Sequence, residues 1–385
     1  MALRKAKALT FRPTGLSDSQ DGTNQFAGAM QILTNLVPNP ATDKTFVPRP
    51  AAQPLIFFGA PQELWVAGSS CEILEFPLTA TGNVAPTIDI QGALTQLTSL
   101  LVNGDDKSFT MAVEVDSAGK QYACGWKLIA GGSGIQYFYT VYAAGANGNV
   151  APTNYVHGAA TGFDAFVVQA SNGGICVDAS GNVYVGFFTK ILMFPAGSDG
   201  NAASTTFATI AAGSSRQITS LFYDAVRRWI WVSASGNLSD NALYAYDLTG
   251  VLQVTITDGT NFSTPWQVAI GPDLSIYVSD TPNFGEVLVY APNASGASLP
   301  VRTISLPSVA ASKGIGVAVD SNGRVYAAAE AGTTSSLFVY EAGASDVLSS
   351  SPIQTIAGTN TRFDTMLPGS SPPNAVTNIQ QLRVR

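Results

Sequence analysis

The 385-residue chain has one histidine, His157, three cysteines, and charged side chains at only 12% of its positions. Each scarcity excludes something. One histidine cannot build a multi-histidine metal centre, and a Ser-His-Asp or Cys-His arrangement is available only through His157 itself. No Gly-x-Ser-x-Gly elbow is present. The glycine-rich stretch Gly131 to Gly134 lacks the Lys-Ser/Thr ending of a phosphate-binding loop. Cys71, Cys124 and Cys176 are odd in number and fall on strand-like runs, so they read as buried thiols of a chain folded in a reducing compartment. There is no run of 18 apolar residues, and the basic start is not followed by an apolar core, so neither a membrane span nor a secretory leader is expected. No basic stripe, zinc knuckle or recognition helix marks a sequence-specific nucleic-acid reader. From the residues, no catalytic, cofactor-binding or metal-binding set is expected, and His157 reads as a satisfied surface histidine.

What the chain has is repetition. Gly82-Asn83-Val84-Ala85-Pro86-Thr87 recurs letter for letter as Gly148-Asn149-Val150-Ala151-Pro152-Thr153. A second signature ends in Val-Asp, turns through a glycine and resumes at Val/Gln-Tyr. It runs from Val113 to Tyr122, from Ile175 to Tyr184 and from Val317 to Tyr326, with weaker copies at Leu221 to Trp231 and Val268 to Tyr277. In Asp116-Ser117-Ala118-Gly119 and its relatives, Asp can close an Asx-turn and Gly can take positive φ. Taking Asp116, Asp178, Asp224, Asp273 and Asp320 as equivalent gives steps of 62, 46, 49 and 47 residues, the first lengthened by an insertion at Lys127 to Ile135. Each unit holds four short runs rich in Val, Ile, Tyr and Phe. Four strands in a period of this size specify a β-propeller. Equivalent turn aspartates on different blades cannot converge on one calcium ion. One aromatic per unit (Phe76, Tyr142, Phe194, Tyr246, Tyr290, Tyr340) suits packing between blades; a sugar-binding rim is the competing use.

Five units begin near Phe109, Gly173, Ile218, Trp266 and Gly314, and a sixth from Leu64 to Ile90 lacks a strand. The spare run Asn378 to Val384 can supply it and close the ring, removing two sheet edges; Leu55-Ile56-Phe57-Phe58 competes for the same place. The fold expected is all-β: a six-bladed propeller over 61–385 behind an extended N-terminal arm, 1–60. The arm carries six basic and three acidic groups, a net of +3, and the remainder 13 basic and 23 acidic groups, a net of −10. Punctuated by Pro13, Pro38, Pro40, Pro48 and Pro50, the arm must strap its own ring or dock elsewhere. Its docking candidates are the cations Arg4, Lys5, Lys7, Arg12 and Arg49 and the apolar anchors Phe26 and Met30.

Arg12-Pro13-x-Gly15-Leu16-Ser17-Asp18, Phe26-x-Gly28-Ala29-Met30, Asn35-Leu36-Val37-Pro38 and Val47-Pro48-Arg49-Pro50 resemble the start of structural proteins of tailed bacteriophages. Such an arm ahead of a propeller is similar to the tail nozzle (tail hub) proteins of short-tailed phages. The repeats resemble NHL-type propellers, a likeness of fold rather than role. The nozzle resemblance implies a homohexamer in the virion tail, made in the host cytoplasm. It further implies contact with an adaptor ring and with tail fibre or spike proteins, and double-stranded DNA passing without specific binding or membrane insertion. The alternative is a receptor- or glycan-binding propeller on the virion exterior, with loops such as Lys127 to Ile135 carrying recognition.

Overall fold

In a computed structural model, residues 62–68, 71–97, 108–128, 135–163, 173–210, 216–236, 241–257, 262–281, 285–307, 312–331, 334–346, 351–363 and 379–385 are described. Every docking candidate named in the arm, from Arg4 to Arg49, lies outside them, as does Leu55–Phe58. The described residues form six four-stranded antiparallel sheets, the blades of a β-propeller. Blade 1 contains β1 (Glu63–Gly68), β2 (Glu72–Pro77) and β3 (Ile88–Ile90). Blade 2 contains β4 (Ser108–Val115), β5 (Gln121–Leu128), β6 (Ile135–Tyr142) and β7 (Asn154–His157). Blade 3 runs through β8 (Gly173–Val177), β9 (Val183–Phe187), β10 (Lys190–Phe194) and β11 (Thr205–Thr209). Blade 4 is β12 (Gln217–Asp224), β13 (Trp229–Ser235), β14 (Ala242–Asp247) and β15 (Leu252–Ile256). Blade 5 is β16 (Pro265–Ile270), β17 (Ile276–Asp280), β18 (Glu286–Tyr290) and β19 (Arg302–Ser305). Blade 6 is β20 (Ser312–Val319), β21 (Val325–Ala331), β22 (Thr334–Tyr340) and β23 (Gln354–Ala357).

The strand missing from blade 1 is β24 (Ile379–Val384), which pairs antiparallel with β1 from Leu64↔Val384 to Gly68↔Ile379. It takes the innermost place and packs between β4 and β20, so the C-terminal run, not Leu55–Phe58, closes the ring.

The Asp-Gly hairpins form as their chemistry requires. Asp116 Oδ1 accepts the N–H of Ala118 and Lys120 at 2.9 and 3.0 Å while Gly119 sits at φ 79°. Asp178 and Asp320 repeat the arrangement. The tyrosine of the motif returns to the same carboxylate, with Tyr122, Tyr184 and Tyr326 hydroxyls donating to Asp116, Asp178 and Asp320 Oδ2. Blade 5 corrects the sequence alignment. The N–H donation across the turn comes from Gly271, to Ser275, so Gly271 rather than Asp273 is the equivalent of Asp116. The steps become 62, 46, 47 and 49. With no carboxylate at 271, the Tyr277 hydroxyl accepts instead from Arg302 Nη2 at 3.0 Å.

The Lys127 to Ile135 insertion extends the pairing of blade 2. Its ends are strand, since β5 and β6 stay paired as far as Leu128↔Ile135, and residues 129–134 lie outside the described ones. The core is six layers between blades rather than one centre. Phe76 packs on Phe363 at 5.3 Å, Phe194 on Tyr139 at 5.2 Å and Tyr290 on Phe262 at 5.6 Å, so the periodic aromatics are inter-blade fillers. Cys71, Cys124 and Cys176 are buried free thiols, and burial pushes the Cys124 and Cys176 pKa values up.

Candidate functional site

In a propeller the inner edges of six strands face the axis with unpaired N–H and C=O groups, which must find partners or water. Two glutamines and two arginines meet much of that demand here. Gln381, on β24, donates from Nε2 to the carbonyls of Gly173 in blade 3 and Thr219 in blade 4, at 3.1 and 2.9 Å. Gln267, on β16, donates to Leu382 O at 2.6 Å and accepts on Oε1 from the N–H of Val317 and Leu382. The Arg383 side chain pairs with Glu114 of blade 2 at 3.0 Å and donates to the carbonyls of Ile175 and Leu221. Arg385 donates to Val115 O. Gln267, Gln381 and Arg383 are each under 5% exposed. Long polar side chains from β24 and β16 therefore lace all six blades together through the axis. Among the described residues, no group of three or more His, Cys, Asp or Glu is placed to hold a metal ion. None of the described helices is long and apolar enough to cross a membrane.

The repeated Gly-Asn pair has a role that the sequence did not disclose. It lies in the hairpin between third and fourth strands and fastens that hairpin to the preceding blade. Asn83 Oδ1 accepts from Asn360 N–H, Asn149 Oδ1 from Leu94 N–H and Asn201 Oδ1 from Ala160 N–H, all at 2.7–2.8 Å. The acceptor hairpin's glycine also adds backbone bonds to the neighbour's outer strand: Gly82 to Thr355, Gly148 to Asp89, Gly200 to Tyr155 and Gly296 to Thr255. A belt of such bonds thus covers outer sheet edges. The signal in sequence was the second half of each contact, a Gly-x-x-Thr turn at Gly92, Gly158 and Gly358, which shares no residue pattern with its partner.

On the rim, the repeat position before the fourth strand divides the ring. Thr87 and Thr153 hold it in blades 1 and 2, each also donating its hydroxyl to a third-strand carbonyl. Val301 and Ile353 hold it in blades 5 and 6, through the same backbone bond. They are exposed, as are Leu299 and, in blade 4, Val251 and Leu252.

Blade 2 carries a second polar cluster, at the far end of β5 and β6. Lys127, Gln136, Tyr155 and His157 share one face of the sheet, because Lys127 pairs with Gln136 and Phe138 with His157. The Tyr155 and His157 rings stack at 4.2 Å, and the Lys127 Nζ lies 4.8 Å from the Tyr155 centroid and 5.7 Å from that of Phe138. Tyr155 Oη donates to Gln136 Oε1 at 3.2 Å, and Gln136 Nε2 lies 3.3 Å from His157 Nδ1. Burial lowers the Lys127 pKa. Burial and then the Lys127 charge lower that of His157, against a smaller opposite pull from Asp199.

No family model matches the chain, and no curated protein matches it. Among solved structures, it is similar to a protein from Lactobacillus plantarum at 13% identity over 77% of this chain and 82% of that one (TM-score 0.48). It is also similar to the Dos1 propeller at 11% identity over 78% and 68% (TM-score 0.41). A third match is a chain of the mitotic checkpoint complex, at 10% identity (TM-score 0.36); it spans about half of either chain, 48%. None of these likenesses bears on function.

Proposed function

We propose that this chain is a structural protein of a virion, the subunit of a hexameric tail nozzle below the adaptor ring of a short-tailed phage. The observation that carries a scaffolding rather than a catalytic reading is the axis. Propellers that work on small molecules need a polar site there, and in this ring Gln267, Gln381, Arg383 and Arg385 direct hydrogen bonds to the inner strands, leaving Gln381 Oε1 and Arg383 Nη1 as the buried atoms of these four without a partner among the described residues. Work is left to the outer surface and the arm. The rim of blades 4 to 6, with Val251, Leu252, Leu299, Val301 and Ile353 exposed, suits contact with a neighbour. Phage identity rests on the resemblance of residues 12–50 alone.

With long side chains reaching across the inner strands of each ring, DNA would pass through the space enclosed by six copies. A net charge of −10 on each propeller keeps phosphates from adhering to such a wall. Sedimentation velocity of the purified full-length protein tests the assembly, and labelled antibody on imaged particles tests the location. A chain that stays monomeric at micromolar concentration and is absent from tails would end this reading.

A further inference from the structure

The blade 2 cluster belongs neither to the axis nor to the belt, and its hydrogen bonds define an unusual set of donors. Gln136 Oε1 accepts from the Tyr155 hydroxyl. In that orientation of the amide, Nε2 faces His157 Nδ1 as a donor, and the neutral imidazole then carries its proton on Nε2. Beside it stands the Lys127 ammonium, half-buried over two aromatic rings and without a carboxylate partner among the described residues. The connecting residues 129–134, Ile-Ala-Gly-Gly-Ser-Gly, contain no acid either. The carboxylate bearing on the cluster is Asp199, from the blade 3 hairpin, whose Oδ1 accepts the Tyr155 N–H at 2.8 Å. Among the described residues, a chain with 26 acidic groups against 19 basic ones thus keeps a cation at a sheet end without an acid to pair it.

We infer that Lys127 and His157 form a binding site for a small oxyanion, with Lys127 Nζ supplying charge and the His157 Nε2–H a directed hydrogen bond. Phosphate and the carboxylate of an acidic sugar present the same chemistry to these donors. The ring as a whole repels anions, so attraction confined to this place reports the site and not a general field. This inference is independent of the nozzle reading and stands or falls without it.

The chain's single histidine makes the test clean, because the full-length protein gives one imidazole Cε1–H resonance. It is titrated at constant ionic strength with inorganic phosphate, with glucuronate and with neutral glucose. The expected result is a saturable shift with phosphate, glucuronate or both, together with a rise in the His157 titration midpoint, and no shift with glucose. Response to phosphate alone names a phosphate ligand; response to glucuronate alone names an acidic sugar. Lys127→Met, which keeps the apolar stem on the rings, abolishes the shift, and Lys127→Arg retains it. No saturable shift with either anion overturns the site, and so does a shift that persists undiminished in Lys127→Met.

Discussion

Gln267 joins backbone groups of β20 and β24 through both ends of one amide, although Leu382 lies 115 residues away in sequence. Buried N–H and C=O groups left without partners cost about 1–3 kcal/mol each. Gln267→Leu is therefore expected to destabilise the ring by about 2–5 kcal/mol, read as a lower urea midpoint at unchanged slope. Glu286 gives a prediction of opposite character. Burial, with Asp280 and then Asp346 adding to it, pushes its pKa up from 4.5 to about 7. The folded protein holds that proton more tightly than the unfolded one, so stability falls as pH rises from about 4.5 through about 7. Melting temperatures across that range should show the decline, and Glu286→Gln should flatten it; equal slopes in both proteins would contradict the assignment. Little of this was legible in the sequence. The Asp-x-x-Gly turns were readable because all their partners lie within six residues, as Asp116 and Tyr122 do. The axial glutamines were not, because nothing near Gln267 in the chain announces a partner across the ring.

At the level of the element, β24 and the belt hairpins close the ring from inside and outside. The inner closure could be read from sequence, since a unit short of one strand and a strand short of a unit imply each other. Removing 376–385 takes away the inner strand of blade 1 and the side chains of Gln381, Arg383 and Arg385 together. The cooperative melt of the intact protein should be lost or fall steeply, and an unchanged melting temperature would refute closure. The belt could not be read, although its Gly-Asn motif was the plainest repeat in the chain. Asn83 meets Asn360 across 277 residues, so the repeat showed the knob and hid the hole. The hole is tight: Gly358 has φ 116°, and a Cβ there would lie 2.7 Å from Asn83 Cγ. Gly358→Ala should cost about 1–3 kcal/mol, measured by chemical denaturation.

For the whole molecule, the proposed assembly rests on the arm and the rim. Deleting residues 1–50 should leave a propeller with unaltered circular dichroism that no longer assembles; loss of fold would make the arm a core element, and normal assembly would remove it from the contact. Replacing Leu299, Val301 and Ile353 by threonine, as blades 1 and 2 have at the position of Val301 and Ile353, should weaken assembly without lowering the melting temperature. Closure by β24 also has a bearing on manufacture. Every other strand of the ring leaves the ribosome before β24 does, so the nascent chain carries an open circle until β24 has emerged. A chain cut off before β24 has five complete blades and one with a raw edge, a species prone to proteolysis and to sticking. In the proposed assembly of identical copies, a copy that lacks β24 fails to close and is cleared before it can join the others.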